Sequence, residues 1–245
     1  MATIDAEAPL AVEVVRAIHA GDVSTLKRLL DANPGLATAR LGDDDPEGMS
    51  RTLLHVATDW PGHFPNGGAT VAALVDAGAD VDARFRGPHA ETPLHWAASS
   101  NDVDVLDALL DAGADIDADG GVIGGGTPLA DARAFGQWEA AHRLVERGAQ
   151  VTLVDVATLG LMDRLHEYIP SGTAPSPNEI RHAFWGACHG GQQAAAAYLL
   201  DRGADLNWIP PWEDLTPLDA AERSGATELV HWLRGRGAKS ARELR

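Results

Sequence analysis

The chain has 245 residues, a net charge of −17 and one cysteine, Cys188. So negative a chain is repelled by nucleic-acid phosphates and anionic membrane surfaces and favours cationic partners, and a single thiol excludes an internal disulfide. No apolar run approaches membrane-spanning length, and the start MATIDAEAPLAVEVV lacks the basic-then-apolar order of a signal peptide, so a cytoplasmic chain without membrane or nucleic-acid partners is expected.

In chain order, residues 9–40 read as a terminal cap: a helix, a turn at Gly21, and a second helix with Leu26, Leu29 and Leu30. Asp43 to Gly48 is a polar loop. A new segment opens at Thr52-Leu53-Leu54-His55, and its first helix runs into Asp59-Trp60, where Pro61 stops it. The insertion Pro61 to Gly68 follows, given a fixed shape by its prolines and glycines. A second helix then carries Val71, Leu74 and Val75.

Residues 91–115, ETPLHWAASSNDVDVLDALLDAGAD, show the governing frame most clearly. Thr92 is suited to cap a helix, and Pro93 sits where a helix needs no N–H. Leu94, Ala97 and Ala98 share one side of a short first helix, with small alanines that let a neighbour approach. Val103, Val105, Leu106, Leu109 and Leu110 give the second helix a wide apolar stripe, which Gly113 ends. Thr92 to Gly113 spans 21 residues, as do Thr127 to Gly148 and Thr216 to Gly237. Thr52 to Gly78 spans 26, the same frame with five residues inserted. A degenerate fifth copy (VTLVDVATLGLMDRLHEYI) lacks the Thr-Pro opening. The loop Ser171 to Pro177 leads to a sixth copy ending at Gly203-Ala204-Asp205, and the seventh ends at RELR. Seven helix pairs result, and since no pair can bury both helices alone, adjacent pairs must stack.

TPLHWAA (Thr92 to Ala98) and DAGAD (Asp76 to Asp80, Asp111 to Asp115) resemble the ankyrin-repeat family closely. The resemblance implies an all-α solenoid of about seven helix-turn-helix repeats joined by β-hairpin-like fingers. It implies one domain over residues 1–245: a cap and loop at 1–48, central repeats at 49–205, and a terminal repeat at 206–245. Both end repeats look polar enough for a monomer. The fingers around Arg84 to Glu91 and Asp119 to Gly126 are longer than the family norm, and Leu206 to Leu215 forms the last one.

In such stacks the fingers and first-helix ends line a concave groove, which directs attention to the seventh and eighth residues after each capping Thr. These are Asp59 and Trp60, Ser99 and Ser100, then Ala134 and Phe135, and by alignment on turn glycines His189 and Gly190 in the sixth repeat. The fingers add Arg84, Phe85, Arg86, His89, Glu91, Val122, Ile123, Trp208 and Trp212, and the insertion adds His63, Phe64 and Asn66. Two functions fit this set. One is recognition of a protein partner, a basic one by charge, using aromatic anchors in the groove. The other is a small-molecule site or cofactor-independent enzyme in an aromatic-walled pocket, with Asp59 and His63 or His189 as an acid–base pair, Glu91 as a second carboxylate, and Arg84 or Arg86 holding an anionic group. No metal-ligand spacing occurs and no cofactor is implied.

Other residues read as structural. His55 and His95 sit where the family uses histidine to bond the turn network. Trp138 and Trp232 fall at apolar positions of second helices and are expected in the core; Trp96 and Trp185 are expected to pack. Cys188-His189 is no nucleophile–base pair, because adjacent helical residues point about 100° apart. The glycine-rich Gly120 to Gly126 lacks the lysine ending of a phosphate loop and reads as a finger tip.

Overall fold

The computed structural model describes residues 2–42, 48–169 and 175–245. Residues 43–47 and 171–174, within the two expected loops, lie outside them. The packing separates two compact units, 1–149 and 150–245.

The N-terminal unit opens with β1 (Thr3–Ile4), α1 (Pro9–Ala20) and α2 (Val23–Ala32), followed by β2 (Arg40–Gly42) and β3 (Ser50–Thr52). Three helix pairs follow: α3 (Leu53–Thr58) with α4 (Gly67–Asp76), α5 (Pro93–Ser99) with α6 (Val103–Asp111), and α7 (Pro128–Ala134) with α8 (Trp138–Glu146). The first helices pack side by side in one layer and the second helices in another. Ala97, Ala98 and Ala132 are fully buried in the first layer, where only a methyl group fits between neighbours. Leu26, Leu74, Leu106, Leu109 and Leu144 supply the apolar stripe of the second. Gly113 and Gly148 follow the second helices with φ of 91° and 100°, the left-handed conformation that glycine adopts without strain.

The threonine frame acts as expected. The Thr92 hydroxyl and the His95 ring form a reciprocal cap, with His95 Nδ1 accepting from the Thr92 N–H at 3.1 Å. Nε2 then donates to the Gly126 carbonyl at 3.1 Å. His55 repeats the arrangement with Thr52 and the Glu91 carbonyl (3.1 Å). Each histidine therefore ties its own helix start to the next finger.

The fingers differ from expectation in one respect. Among the described residues only the first forms a ladder, in which β2 pairs antiparallel with β3 and parallel with β1. Later fingers are turns held by scattered backbone bonds, such as Phe85 N–H to the Glu91 carbonyl at 2.7 Å and Gly121 N–H to the Gly126 carbonyl at 2.9 Å. Buried Arg40 anchors the small sheet, its guanidinium donating to the Ser50 hydroxyl (2.9 Å) and to the Arg84 carbonyl (2.6 Å).

The C-terminal unit contains α9 (Leu153–Thr158), α10 (Met162–Tyr168), α11 (Pro177–His189), α12 (Gln193–Leu200), α13 (Pro217–Arg223), α14 (Thr227–Arg234) and a final turn, α15 (Ala241–Leu244). The longer α11 packs against α9, α12 and α13, with Phe184 fully buried among Val156, Leu199 and Leu218. The degenerate fifth repeat lacks the proline yet keeps the cap, because Thr152 and Asp155 bond reciprocally. The seven expected helix pairs are all present among the described residues.

Two tryptophans correct the sequence reading. Trp138 and Trp232 are half-buried rather than core, and the Arg236 guanidinium lies 3.8 Å from the Trp232 ring centre. Each sits at the outer edge of its helix's apolar stripe, where a large ring covers the core without entering it.

Candidate functional site

Two adjoining hollows lie on the N-terminal unit, and both are lined in part by Trp96. The larger, about 850 Å³, is formed by α1 (Val12, Val15, Arg16, His19), the first finger (Leu41, Met49, Arg51) and Phe85. The smaller, about 230 Å³, is formed by Thr58, Asp59, Trp60, Glu91, Ser99, Ser100, Val122 and Phe135. Helix termination places these side chains. α3 ends at Thr58, earlier than the expected stop at Pro61, because Asp59 is already extended, and this leaves Trp60 82% exposed. Ser100 ends α5 and turns its hydroxyl back to the Trp96 carbonyl at 2.8 Å. Phe135 ends α7 and stands 49% exposed.

The acid–base pair expected of Asp59 and His63 does not form. Asp59 is ion-paired with Arg51. His63 faces elsewhere, its N–H donating to Asp102 Oδ2 at 2.6 Å and its Nε2 lying 3.0 Å from the Ser100 carbonyl. The cause is the insertion's role as a brace. The Asn66 amide donates to the Gly21 carbonyl at 2.9 Å, Phe64 stacks on His19 at 4.3 Å between ring centres, and Gly62 has no room for a side chain against Ser100. The insertion therefore spans from the first repeat's turn to the third's, and none of its residues lines either hollow. The histidine that senses the Asp59 charge is His19; burial lowers its pKa, and Asp59 opposes that shift.

Arg84, expected to hold an anionic group, is engaged within the fold: it donates to the Ala90 carbonyl (3.1 Å) and pairs with Asp119 (2.9 Å), locking one finger to the next. Arg86 bridges Ser50 through its backbone, and Phe85 packs 5.3 Å from Trp96. His89 is exposed. Glu91 is buried, and desolvation raises its pKa while the Trp96 side chain opposes that shift. Asp131, also buried and raised by desolvation, accepts the Ile123 and Val122 N–H groups at 3.1 and 3.3 Å and so fixes the glycine-rich finger tip.

The remaining site residues belong to the C-terminal unit. Trp212 stands edge-on to His182, Trp185 and Trp208 at 4.8, 6.2 and 5.6 Å. The Arg181 guanidinium lies 5.5 Å from the Trp208 ring centre, and Arg223 pairs with Glu213. His189 is buried against Trp185 (5.6 Å), with Nδ1 3.4 Å from the Ser224 hydroxyl. Trp185 packs as expected, its indole donating to the Leu215 carbonyl at 3.0 Å. Cys188 is fully buried, which pushes its thiol far above the ordinary range. A disulfide-exchange reagent such as Ellman's reagent should therefore leave it unlabelled in the native chain and label it within minutes in denaturant; rapid native labelling would place the thiol in solvent.

The described residues contain no group of three or more His, Cys, Asp or Glu arranged around a metal, and no helix among them is long and apolar enough to cross a membrane. Val12, Met49 and Arg16, which line the larger hollow, were not anticipated, because the cap lacks the Thr-Pro frame that locates the groove positions in later repeats.

Stacked helix pairs with buried threonine–histidine caps, fingers over the helix starts and a grooved surface define a helical-repeat scaffold. The family model for ankyrin repeats, in three copies, matches residues 14–120 and 66–155, more than half of the chain. The chain belongs to the ankyrin-repeat family. Among solved structures it is similar to the human ASB11 ankyrin repeat domain, at 24% identity and a TM-score of 0.52, over 94% of this chain and 90% of that one. No curated protein matches it.

Proposed function

We propose that this protein binds a protein partner through the groove of its N-terminal unit, with a basic, extended segment of the partner lying along the two hollows. One observation carries the reading. Six large apolar side chains are exposed among the described residues of the N-terminal unit: Val12, Met49, Trp60, Val122, Ile123 and Phe135. Five of these, all but Ile123, line the hollows. Apolar exposure gathered in one place marks an interaction site, whereas scattered exposure does not. The sign of the partner's charge follows from residues 1–149, which carry 24 acidic against 10 basic residues, while residues 150–245 carry 12 against 9. Such a field speeds the encounter with a cationic chain and rejects an anionic one. Ankyrin repeats in general mediate protein–protein interaction. Against the acid–base pairing of Asp59 with His63 in the catalytic alternative, Asp59 pairs with Arg51 and His63 faces Ser100.

The test uses peptides selected on the full chain from a random displayed library. Trp60→Ala and Phe135→Ala should each weaken the selected peptides at least about 30-fold, the loss of about 2 kcal/mol that defines an interface hot spot. Trp212→Ala, in the other unit, should change affinity less than about twofold. Equal affinity for the wild type and both groove variants would overturn the proposal.

A further inference from the structure

We propose that the hollow of about 230 Å³ is an arginine-specificity pocket, in which Trp60, Trp96 and Phe135 flank a guanidinium and Glu91 receives it. This rests on the partner-binding reading above and names the side chain that the groove selects.

The first ground is size. The hollow is smaller than the roughly 300–1,000 Å³ of a site for a drug-sized ligand and suits one side chain of a longer segment. The second is charge. Glu91 is only 8% exposed, and no lysine or arginine pairs with it among the described residues. The Trp96 side chain favours its charged form, and an ionised carboxylate has room for about four hydrogen bonds. Asp59, the other carboxylate in the lining, is already neutralised by Arg51. A buried, under-bonded carboxylate is costly unless a cation completes it. An anion entering here would meet that carboxylate directly, and a neutral apolar group would desolvate it further without a bond in return.

The walls choose between the cations. Trp60, two residues past the end of α3, and Phe135, the cap of α7, are exposed, and Trp96 lines the same hollow. Aromatic faces attract any cation, but a guanidinium is flat, weakly hydrated and able to stack while its fork of N–H donors meets a carboxylate with two parallel bonds. An ammonium is more strongly hydrated and cannot stack. The geometry of one carboxylate behind three rings therefore favours arginine over lysine.

The probes are N-acetyl-arginine methylamide, its neutral isostere N-acetyl-citrulline methylamide and N-acetyl-lysine methylamide, titrated into the full chain with the indole N–H signals of Trp60 and Trp96 as readout. The arginine probe should shift both signals at millimolar concentration, with the citrulline and lysine probes at least tenfold weaker. Glu91→Gln should remove most of the arginine preference. Trp60→Ala alters an exposed residue that the fold does not need, and should weaken the arginine probe at least fivefold even if Glu91→Gln misfolds. Citrulline or lysine binding as well as arginine, or shifts confined to other tryptophans, would overturn the assignment. Loss of selected-peptide binding in Trp60→Ala and Phe135→Ala without any arginine preference would retain the groove as the partner site and reject this pocket.

Discussion

Phe184→Ala should lower the unfolding free energy by about 3–5 kcal/mol, the usual cost of deleting a fully buried aromatic ring. Phe184 lies on α11, whose neighbours α9 and α13 belong to the repeats on either side. Its ring has no exposed surface and packs among Val156, Leu199 and Leu218. In a repeat stack each repeat draws its stability from the interfaces with its neighbours. Removing the ring leaves a cavity at both interfaces of the sixth repeat at once. Buried alanines, including Ala183, Ala187, Ala195 and Ala196, occupy much of the surrounding space, and they are too short to fill the void. Urea denaturation followed by circular dichroism measures the effect, with Trp212→Ala, 56% exposed, as a control that should stay within about 1 kcal/mol of the wild type. A loss below about 1 kcal/mol for Phe184→Ala would mean that α11 is not the centre of the C-terminal core.

Acidification should destabilise the fold between about pH 6.5 and pH 4.5, with His55 as a principal cause. The ring is fully buried and its pKa is pulled down to about 3 by desolvation, against the Glu91 carbonyl that favours its charge and with Arg40, Arg51 and His95 adding to the depression. A histidine in the unfolded chain titrates near 6.5. Between the two values the unfolded chain takes up a proton that the folded chain refuses. The neutral ring's contribution to stability is thus complete above pH 6.5 and declines as the pH falls, by up to about 1.4 kcal/mol per pH unit. His95 is shifted in the same direction by burial. Glu91 and Asp131 act oppositely: their raised pKa values make the folded chain the better proton acceptor there, so acid offsets part of the loss. Comparing wild type with His55→Gln isolates the histidine. The wild type should lose stability with falling pH more steeply by nearly one proton's worth, and parallel pH profiles for the two proteins would show that His55 takes up its proton within the fold.

The fold was readable because its signals are local and repeat. A capping threonine, a proline in the first turn, a histidine that closes the cap and a glycine after the second helix each perform a defined backbone task, and each recurs at a fixed distance. The short strands were not readable: β1 to β3 run two or three residues each, too short for alternation to register. Nor could sequence show that Arg40, an arginine outside any motif, is buried at the centre of that sheet. The candidate site divides along the same line. Counting from the capping threonine placed Asp59, Trp60, Ser99, Ser100 and Phe135, all of which line the smaller hollow. Pairing across the chain was beyond that counting. Asp59 meets Arg51 eight residues earlier because β3 runs directly into α3, and His63 turns to Ser100 and Asp102 because the insertion braces neighbouring repeats.

The most direct measurement is amide hydrogen exchange on the full chain, with and without a saturating peptide selected from the displayed library. The groove account predicts added protection in residues 50–60, 85–100 and 120–135, with the outward-lying α4, α6 and α8 unchanged. Protection confined to those three helices, or to residues 150–245, would contradict it.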